Sequence, residues 1–300
     1  MIPSPCIGVC RVHASNDLCI GCARTREEIA SWPTASDEQK SAIWKLLPER
    51  REHTGLSVHR IGWNTADLRA FVSETLRPGE GTWVCGVNGA IAEFCIGAGD
   101  DVQFESGARA ISARTQGGGI SLSLTDHVAA LRIGAATASG RDVIVLAVPR
   151  GRAEPFPGEG LTRLGLDMDA VHPDGRKAVL YDFGLGRAAG AFCIRTDSHP
   201  LMSGLDASLG LNWSQLLSEK GAHILAESPV RVVRNSIGRI EVYNRIPPPG
   251  GKSPIGPHTH FLPAVLSKGG DLPATFQIPD NFVPCAVYYP SSSARPDHAR

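Results

Sequence analysis

The chain of 300 residues carries no excess charge of either sign: 30 Lys and Arg stand against 30 Asp and Glu. Proteins that grip nucleic-acid phosphates or anionic lipid carry a basic surplus, so no nucleic-acid partner is expected. Long apolar stretches are missing as well. The longest run is Val143-Ile144-Val145-Leu146-Ala147-Val148, far below the roughly 20 residues a spanning helix needs, so no membrane insertion is expected. The opening Met1-Ile2-Pro3-Ser4-Pro5-Cys6 lacks a basic segment followed by a long apolar one. A secretory signal is therefore not expected, and a cytoplasmic location is. Aromatic residues are sparse at 6%, whereas glycine (33) and proline (22) are plentiful. That balance favours many turns and short strands over a long helical bundle. With 42% apolar and 20% charged residues, a packed core is still within reach.

Familiar catalytic and nucleotide-binding signatures are also scarce. No G-x-S-x-G occurs. Gly117-Gly118-Gly119 has no phosphate-loop lysine and reads as a bulge or turn, and Gly184-Leu185-Gly186 does not reach the third glycine of a dinucleotide fingerprint. Asp167-Met168-Asp169 lacks the glycine and terminal glutamate of a calcium loop. Cys85, Cys95 and Cys193 sit inside strand patterns and read as buried, inert thiols.

Four of the eight cysteines are concentrated at the N-terminus: Cys6, Cys10, Cys19 and Cys22, spaced C-x3-C-x8-C-x2-C. In a reducing compartment such clustering reads as metal ligation rather than as a disulfide framework. Two close pairs joined by a short loop suit a single tetrahedral centre, each pair wrapping one side of the ion. A thiolate set selects soft acceptors, namely zinc or an iron–sulfur cluster, and spacing alone does not choose between them. Gly8 and Gly21 are expected to supply backbone freedom in the two knuckle turns. His13 and Asp17, in the loop between the pairs, read as outer-shell partners or as solvated turn residues. Two capping boxes follow, Thr25-Arg26-Glu27-Glu28 and Ser36-Asp37-Glu38-Gln39, each opening a helix. The first should end near Trp32, before Pro33, and the second near Leu47. Ile29, Trp32 and Trp44 are expected to cover the metal loop. So small a unit buries little apolar surface, and a metal cross-link would supply the missing stability.

The stretch Ser4-Pro5-Cys6-Ile7-Gly8-Val9-Cys10, with Leu18-Cys19-Ile20-Gly21-Cys22-Ala23-Arg24-Thr25, Glu28-Ile29 and Trp32, resembles the domain-of-unknown-function family 1289. Its members are short bacterial proteins described as predicted iron–sulfur proteins. The resemblance covers about residues 3–50 and implies a metal or cluster on the four cysteines. The remainder is similar only to uncharacterised bacterial sequences.

Beyond a polar stretch at 51–60 the texture changes. A helix is expected at 65–76, and Asn88-Gly89 between two apolar runs signals a hairpin joining strands at 82–87 and 90–96. Further strands are expected at 120–124, 128–133, 143–148, 178–183, 191–195, 230–234, 239–245 and 285–289, with a hairpin loop at 235–238. Helices are expected at 200–209, 213–220 and 261–268. The fold class is therefore α+β: a four-cysteine module over residues 1–52, a larger mainly antiparallel domain over 60–290, and a polar tail at 291–300.

One further segment draws attention. His258 and His260, two apart on an extended, proline-braced stretch, share one side and can chelate an ion or act as acid and base, with Cys285 a candidate neighbour in the fold. No glutamate follows at the spacing of the double-stranded β-helix metalloenzymes, and histidines held in a loop or capping the following helix are the favoured reading of the pair. The sequence thus supports a metal-binding protein whose larger domain takes a small ligand or protein partner. The alternatives are an enzyme built around His258 and His260, or a zinc knuckle serving protein–protein contact.

Overall fold

The computed structural model describes residues 2–9, 11–52, 57–87, 90–134, 142–156, 158–185, 190–248, 256–261 and 278–291. The chain opens with the cysteine loops and two helices, α1 (Arg26–Ser31) and α2 (Asp37–Arg51), each started by the expected capping box. α2 runs through Pro48 instead of stopping near Leu47. Its last turn is anchored from outside: Arg50 Nη1 lies 2.7 Å from Glu28 Oε2, and Arg51 Nη2 donates to the Arg60 carbonyl at 3.1 Å. Those ties offset the hydrogen bond that proline removes. Then follow β1 (Val58–Arg60), α3 (Thr65–Thr75), β2 (Gly81–Val87), β3 (Ala90–Cys95), β4 (Gln103–Ser106), β5 (Ala110–Arg114), β6 (Gly118–Ser123), β7 (Ala129–Ile133) and β8 (Val143–Pro149). The second half contributes β9 (Thr162–Leu166), β10 (Val179–Asp182), β11 (Gly190–Thr196), α4 (His199–Asp206), α5 (Trp213–Glu227), β12 (Val230–Asn235), β13 (Gly238–Val242), β14 (His258–Phe261) and β15 (Phe282–Pro290).

This is an α+β fold built on two antiparallel sheets. One has the order β1-β7-β8-β15-β2-β3-β14 and the other β4-β5-β6-β13-β12-β11-β10-β9. β2 and β3 pack against β6, β11, β12 and β13, so the sheets lie face to face. The alternating side chains of each sheet fill the space between them with Trp83, Phe94, Ile120, Leu146, Val233 and Ile240. Leu201 and Leu205 of α4 and Leu216 and Ile224 of α5 join this core. β15 sits in the middle of its sheet, between β8 and β2. The first sheet is therefore complete only when the far end of the chain has arrived.

Several elements departed from the pattern read off the sequence. Val58–Arg60, in the segment expected as polar linker, pairs with β7. β4 and β9 are the edges of the eight-stranded sheet; every residue of β4 is exposed, and an edge strand without a covered face shows no alternation. Gly118 and Gly119 lie within β6 instead of a turn. Phe261 closes β14, and the rest of the helix expected at 261–268 lies outside the described residues, as do Asn88-Gly89 and the tail beyond Ser291. The strands flanking Asn88-Gly89 pair antiparallel with Val87 opposite Ala90, and Asn235 opposite Gly238 closes the other hairpin. Among the described residues no helix is long and apolar enough to cross a membrane.

The N-terminal loop is part of the seven-stranded sheet's packing. Ile7, 1% exposed, fills a cluster with Val58, Leu131, Ile133, Val145 and Phe282 on the outer face of the seven-stranded sheet. A Cβ on Gly8 would fall on the Asn281 side chain. Ile7→Ala should therefore lower the stability of the whole chain by about 2–5 kcal/mol, the usual loss for emptying such a site. Urea unfolding followed by far-ultraviolet circular dichroism checks this; an unchanged midpoint for the sheet signal would contradict it.

Candidate functional site

The second cysteine pair sits on a tight backbone hairpin. Val12 and Cys19 form an antiparallel bridge, with His13 N donating to Leu18 O at 2.8 Å and Ile20 N to Arg11 O at 2.7 Å. Ala23 N returns to Cys19 O at 2.7 Å, and Ala23 itself takes the left-handed conformation at φ 58°. The knuckle's positive φ thus falls on Ala23 and not on Gly21. Gly21 is required for space: a Cβ there would lie 2.6 Å from the Val9 carbonyl oxygen. That contact presses the second knuckle against the loop following Cys6. Gly8, by contrast, has the expected positive φ of 84°.

Cys19 and Cys22 are buried, and Cys6 is half-buried; none of the three is in a disulfide. Gly8 N donates to Cys6 Sγ at 3.3 Å. Burial pushes the Cys19 thiol up, backbone N–H groups of Cys22 and Gly21 work against this, and charge at Cys22 adds to the rise. Cys19 and Cys22 are therefore neighbours, and both knuckles aim backbone amides at sulfur. Among the described residues no three His, Cys, Asp or Glu side chains gather as a metal-holding group. Cys10, the remaining member of the quartet, lies outside them. His13 Nδ1 meets Ser15 Oγ at 3.0 Å and Asp17 pairs with exposed Arg26 at 3.4 Å, so both belong to the solvated turn.

Arginines surround the thiols. Arg24 is 3% exposed, with Nε 3.4 Å from Cys22 Sγ and its guanidinium 4.8 Å over the Trp32 ring; its Nη1 is buried without a hydrogen-bond partner among the described residues. Burial pushes Arg51 down to about 10, with charge at Cys22 opposing the fall. Burial also lowers Arg60, against charge at Cys6. Trp44 braces the group by donating Nε1 to the Pro3 carbonyl at 2.9 Å and lying against Gly62. Ile29, expected to cover the loop, is 36% exposed, and α1 buries no side chain.

The second candidate lies at the sheet edge. β14 pairs with β3, placing His258 opposite Glu93 and His260 opposite Ile91. His258 Nε2 is 3.2 Å from Glu93 Oε2 and its Nδ1 is 2.8 Å from the Gly256 carbonyl oxygen. The side chain of His260 lies outside what is described. Cys285 is not adjacent: β2 and β3 separate β15 from β14. Cys85, Cys193 and Cys285 are buried, and burial raises all three thiols, Cys85 and Cys285 to about 12. They are inert packing groups; Cys95 is only half-buried.

A third arrangement escaped the sequence reading. On the outer face of the eight-stranded sheet, two arginines and two carboxylates close a buried square. Arg195 Nη1 lies 2.9 Å from Asp167 Oδ2 and its Nη2 2.8 Å from Glu241 Oε2. Arg239 Nη1 donates to Asp167 Oδ1 at 2.8 Å, and its Nε lies 3.0 Å from Glu241 Oε1. Tyr243 Oη donates to Glu241 Oε2 at 3.0 Å, and Val171 N donates to Oε1 at 2.9 Å. Gly119 makes room, since a Cβ there would lie 2.7 Å from Tyr243 Oη. Burial opposes charge on Asp167, but hydrogen bonds and attraction from Arg239 and then Arg195 outweigh it and hold the carboxyl below the usual range. Beside the square opens a cavity of about 680 Å³, walled by Arg114, His172, Asp174, Arg195, Asp197 and Tyr243 among others.

Comparison with known proteins adds two matches. Residues 67–300 match a family described as "Family of unknown function (DUF6925)", and residues 4–51 match "Protein of unknown function (DUF1289)". No curated protein and no solved structure matches the chain.

The square makes stability depend on acid pH. Because the Asp167 carboxyl is depressed in the folded state, its contribution is complete above the ordinary unfolded value of about 3.9 and is lost as pH falls through the folded value. Asp167→Asn should be less stable than the parent at neutral pH, and the gap should narrow below about pH 4. Thermal melting of both forms from pH 7 to pH 2.5 checks this; a gap that is constant with pH would contradict it.

Proposed function

The chain belongs to the family of unknown function DUF6925, and from the charge gathered around its N-terminal thiols we propose that it is a metal-binding protein with a tetrathiolate centre on Cys6, Cys10, Cys19 and Cys22. The observation that carries this reading is Arg24: 3% exposed, 3.4 Å from the Cys22 sulfur, and with Nη1 unanswered among the described residues. A buried guanidinium beside neutral thiols is costly. Four thiolates around a divalent ion, or around an iron–sulfur cluster, carry net negative charge. Such a centre answers Arg24 directly and Arg51 and Arg60 at longer range.

The surroundings of the individual thiols support the group, although Cys6, Cys19 and Cys22 are not gathered into a metal-holding set among the described residues. Backbone N–H groups directed at Cys6 and Cys19 stabilise thiolate over thiol. The close approach of Gly21 to Val9 brings the second knuckle onto the chain segment that joins Cys6 to Cys10. Free thiols at Cys6, Cys19 and Cys22 suit a reducing, cytoplasmic setting. When bound, zinc supplies a cross-link, and an iron–sulfur cluster supplies that and an electron-transfer centre. The centre secures the loop that carries Ile7 into the sheet packing, while the larger domain takes a ligand or partner.

Protein purified without oxygen should contain stoichiometric zinc, or iron with acid-labile sulfide and visible absorption. Cys19→Ser with Cys22→Ser should abolish the metal. Arg24→Gln should keep it but hasten its loss to a chelator by about tenfold, as outer-shell changes do. Metal-free protein with an intact, protease-resistant N-terminal module would overturn the proposal.

A further inference from the structure

We propose that the cavity on the outer face of the eight-stranded sheet binds a small organic cation, a molecule carrying one or more free amines. Its volume of about 680 Å³ falls in the roughly 300–1,000 Å³ range of small-molecule sites. The inference rests on how charge is distributed in its wall.

Of the two positive groups in the wall, Arg195 is matched by carboxylates and Arg114 is held by a neutral amide oxygen. Arg195 is 4% exposed and divides its two Nη atoms between Asp167 and Glu241. The backbone of Gly175 lies over its guanidinium, since a Cβ there would sit 2.6 Å from Arg195 Cζ. Arg114 Nε donates to Gln103 Oε1 at 2.8 Å. Arg239, beneath the wall, is held by the same two carboxylates as Arg195. The acidic groups are not matched in the same way. Asp101 and Asp197 line the cavity with no salt-bridge partner among the described residues, and Asp174 meets only His172, at 3.7 Å. Three rim carboxylates stand against Arg195 and Arg114, and the floor adds two carboxylates against Arg239, so carboxylates outnumber guanidinium groups around the cavity.

Aromatic surface completes the site. His172 and Tyr243 both line the cavity and meet edge to face, with ring centroids 6.1 Å apart. Tyr243 is fixed by its hydrogen bond to buried Glu241, and His172 by accepting Asp174 N at its Nδ1. A ring face beside unpaired carboxylates attracts an ammonium group by two additive effects. The same field repels phosphates and carboxylates. The buried square therefore acts as a rigid floor: it cancels its own charge, holds Arg195 away from the ligand and leaves the rim aspartates to set the sign.

Calorimetric titration of the full chain at low ionic strength tests this, with putrescine as the probe and inorganic phosphate and glucose as comparisons. Putrescine should bind saturably, and phosphate and glucose should not. Asp174→Asn with Asp197→Asn, both exposed positions, should weaken putrescine at least tenfold without changing the melting temperature. Arg114→Gln, which removes a positive rim charge, should tighten it. Binding of phosphate or glucose in place of putrescine would overturn the proposal. So would putrescine affinity that the paired aspartate variant leaves unchanged, or the absence of saturable heat with all three probes.

Discussion

Positive charge buried in a protein must meet negative charge within a few ångströms, and this constraint is handled in opposite ways at the two chemically rich places of the fold. On the eight-stranded sheet the answer is internal. Arg195 and Arg239 share Asp167 and Glu241 in a closed square, and the same two oxygens of Glu241 also accept from a tyrosine hydroxyl and a backbone amide. At the cysteine loops the answer is incomplete among the described residues. Arg24 has a buried Nη1 with no hydrogen-bond partner among them, while burial depresses Arg51 and Arg60. The self-compensated cluster makes a platform; the guanidinium beside the Cys22 sulfur does not.

The cysteine module also depends on the sheet beneath it. α1 buries no side chain and α2 buries only Leu47, too little to hold a unit of about fifty residues on apolar contact alone. The deficit is made up by Ile7 in the outer-face cluster, by Gly8 packed on Asn281, and by the Arg50–Glu28 pair that ties the two helices. Phe282 opens β15 and Asn281 directly precedes it, so the loop bearing Cys6 rests on the start of the strand that completes the sheet last.

The readable part of this fold was whatever had a short-range period. Both capping boxes, the hairpins and ten strands followed from alternation, turn residues and apolar runs, because those signals are local. β4 and β9 were not legible, since an edge strand has too little covered face to pattern. The charge square was illegible for a different reason. Arg239, Glu241 and Tyr243 alternate with apolar Ile240 and Val242, the ordinary signature of a strand with one wet face. Only the 167–178 segment folding over that face, with Asp167 brought from 72 residues away, makes it dry. His258 shows the same limit: Glu93, its carboxylate partner, is supplied across a strand pair and not along the chain. The triple glycine belonged to this group too, because Gly119 is there for the Tyr243 hydroxyl and not for a turn.

The parity of the strands also separates the two sites. Leu131, Val143 and Val145, which receive Ile7, point away from the sandwich interior that Ala130, Ile144 and Leu146 fill. Arg239 and Glu241 point away from the same interior on the opposite sheet, where Ile240 and Val242 face inward. The cysteine loops and the cavity thus lie on opposite outer faces, with two sheets about 10 Å apart between them. No ligand in the cavity can touch the thiols, so a metal there would not take part in chemistry at the cavity by contact. Any influence between the two must pass through the packed strands, and the natural route is the seven-stranded sheet itself, whose outer face carries Ile7 while its inner face packs on β11, β12 and β13.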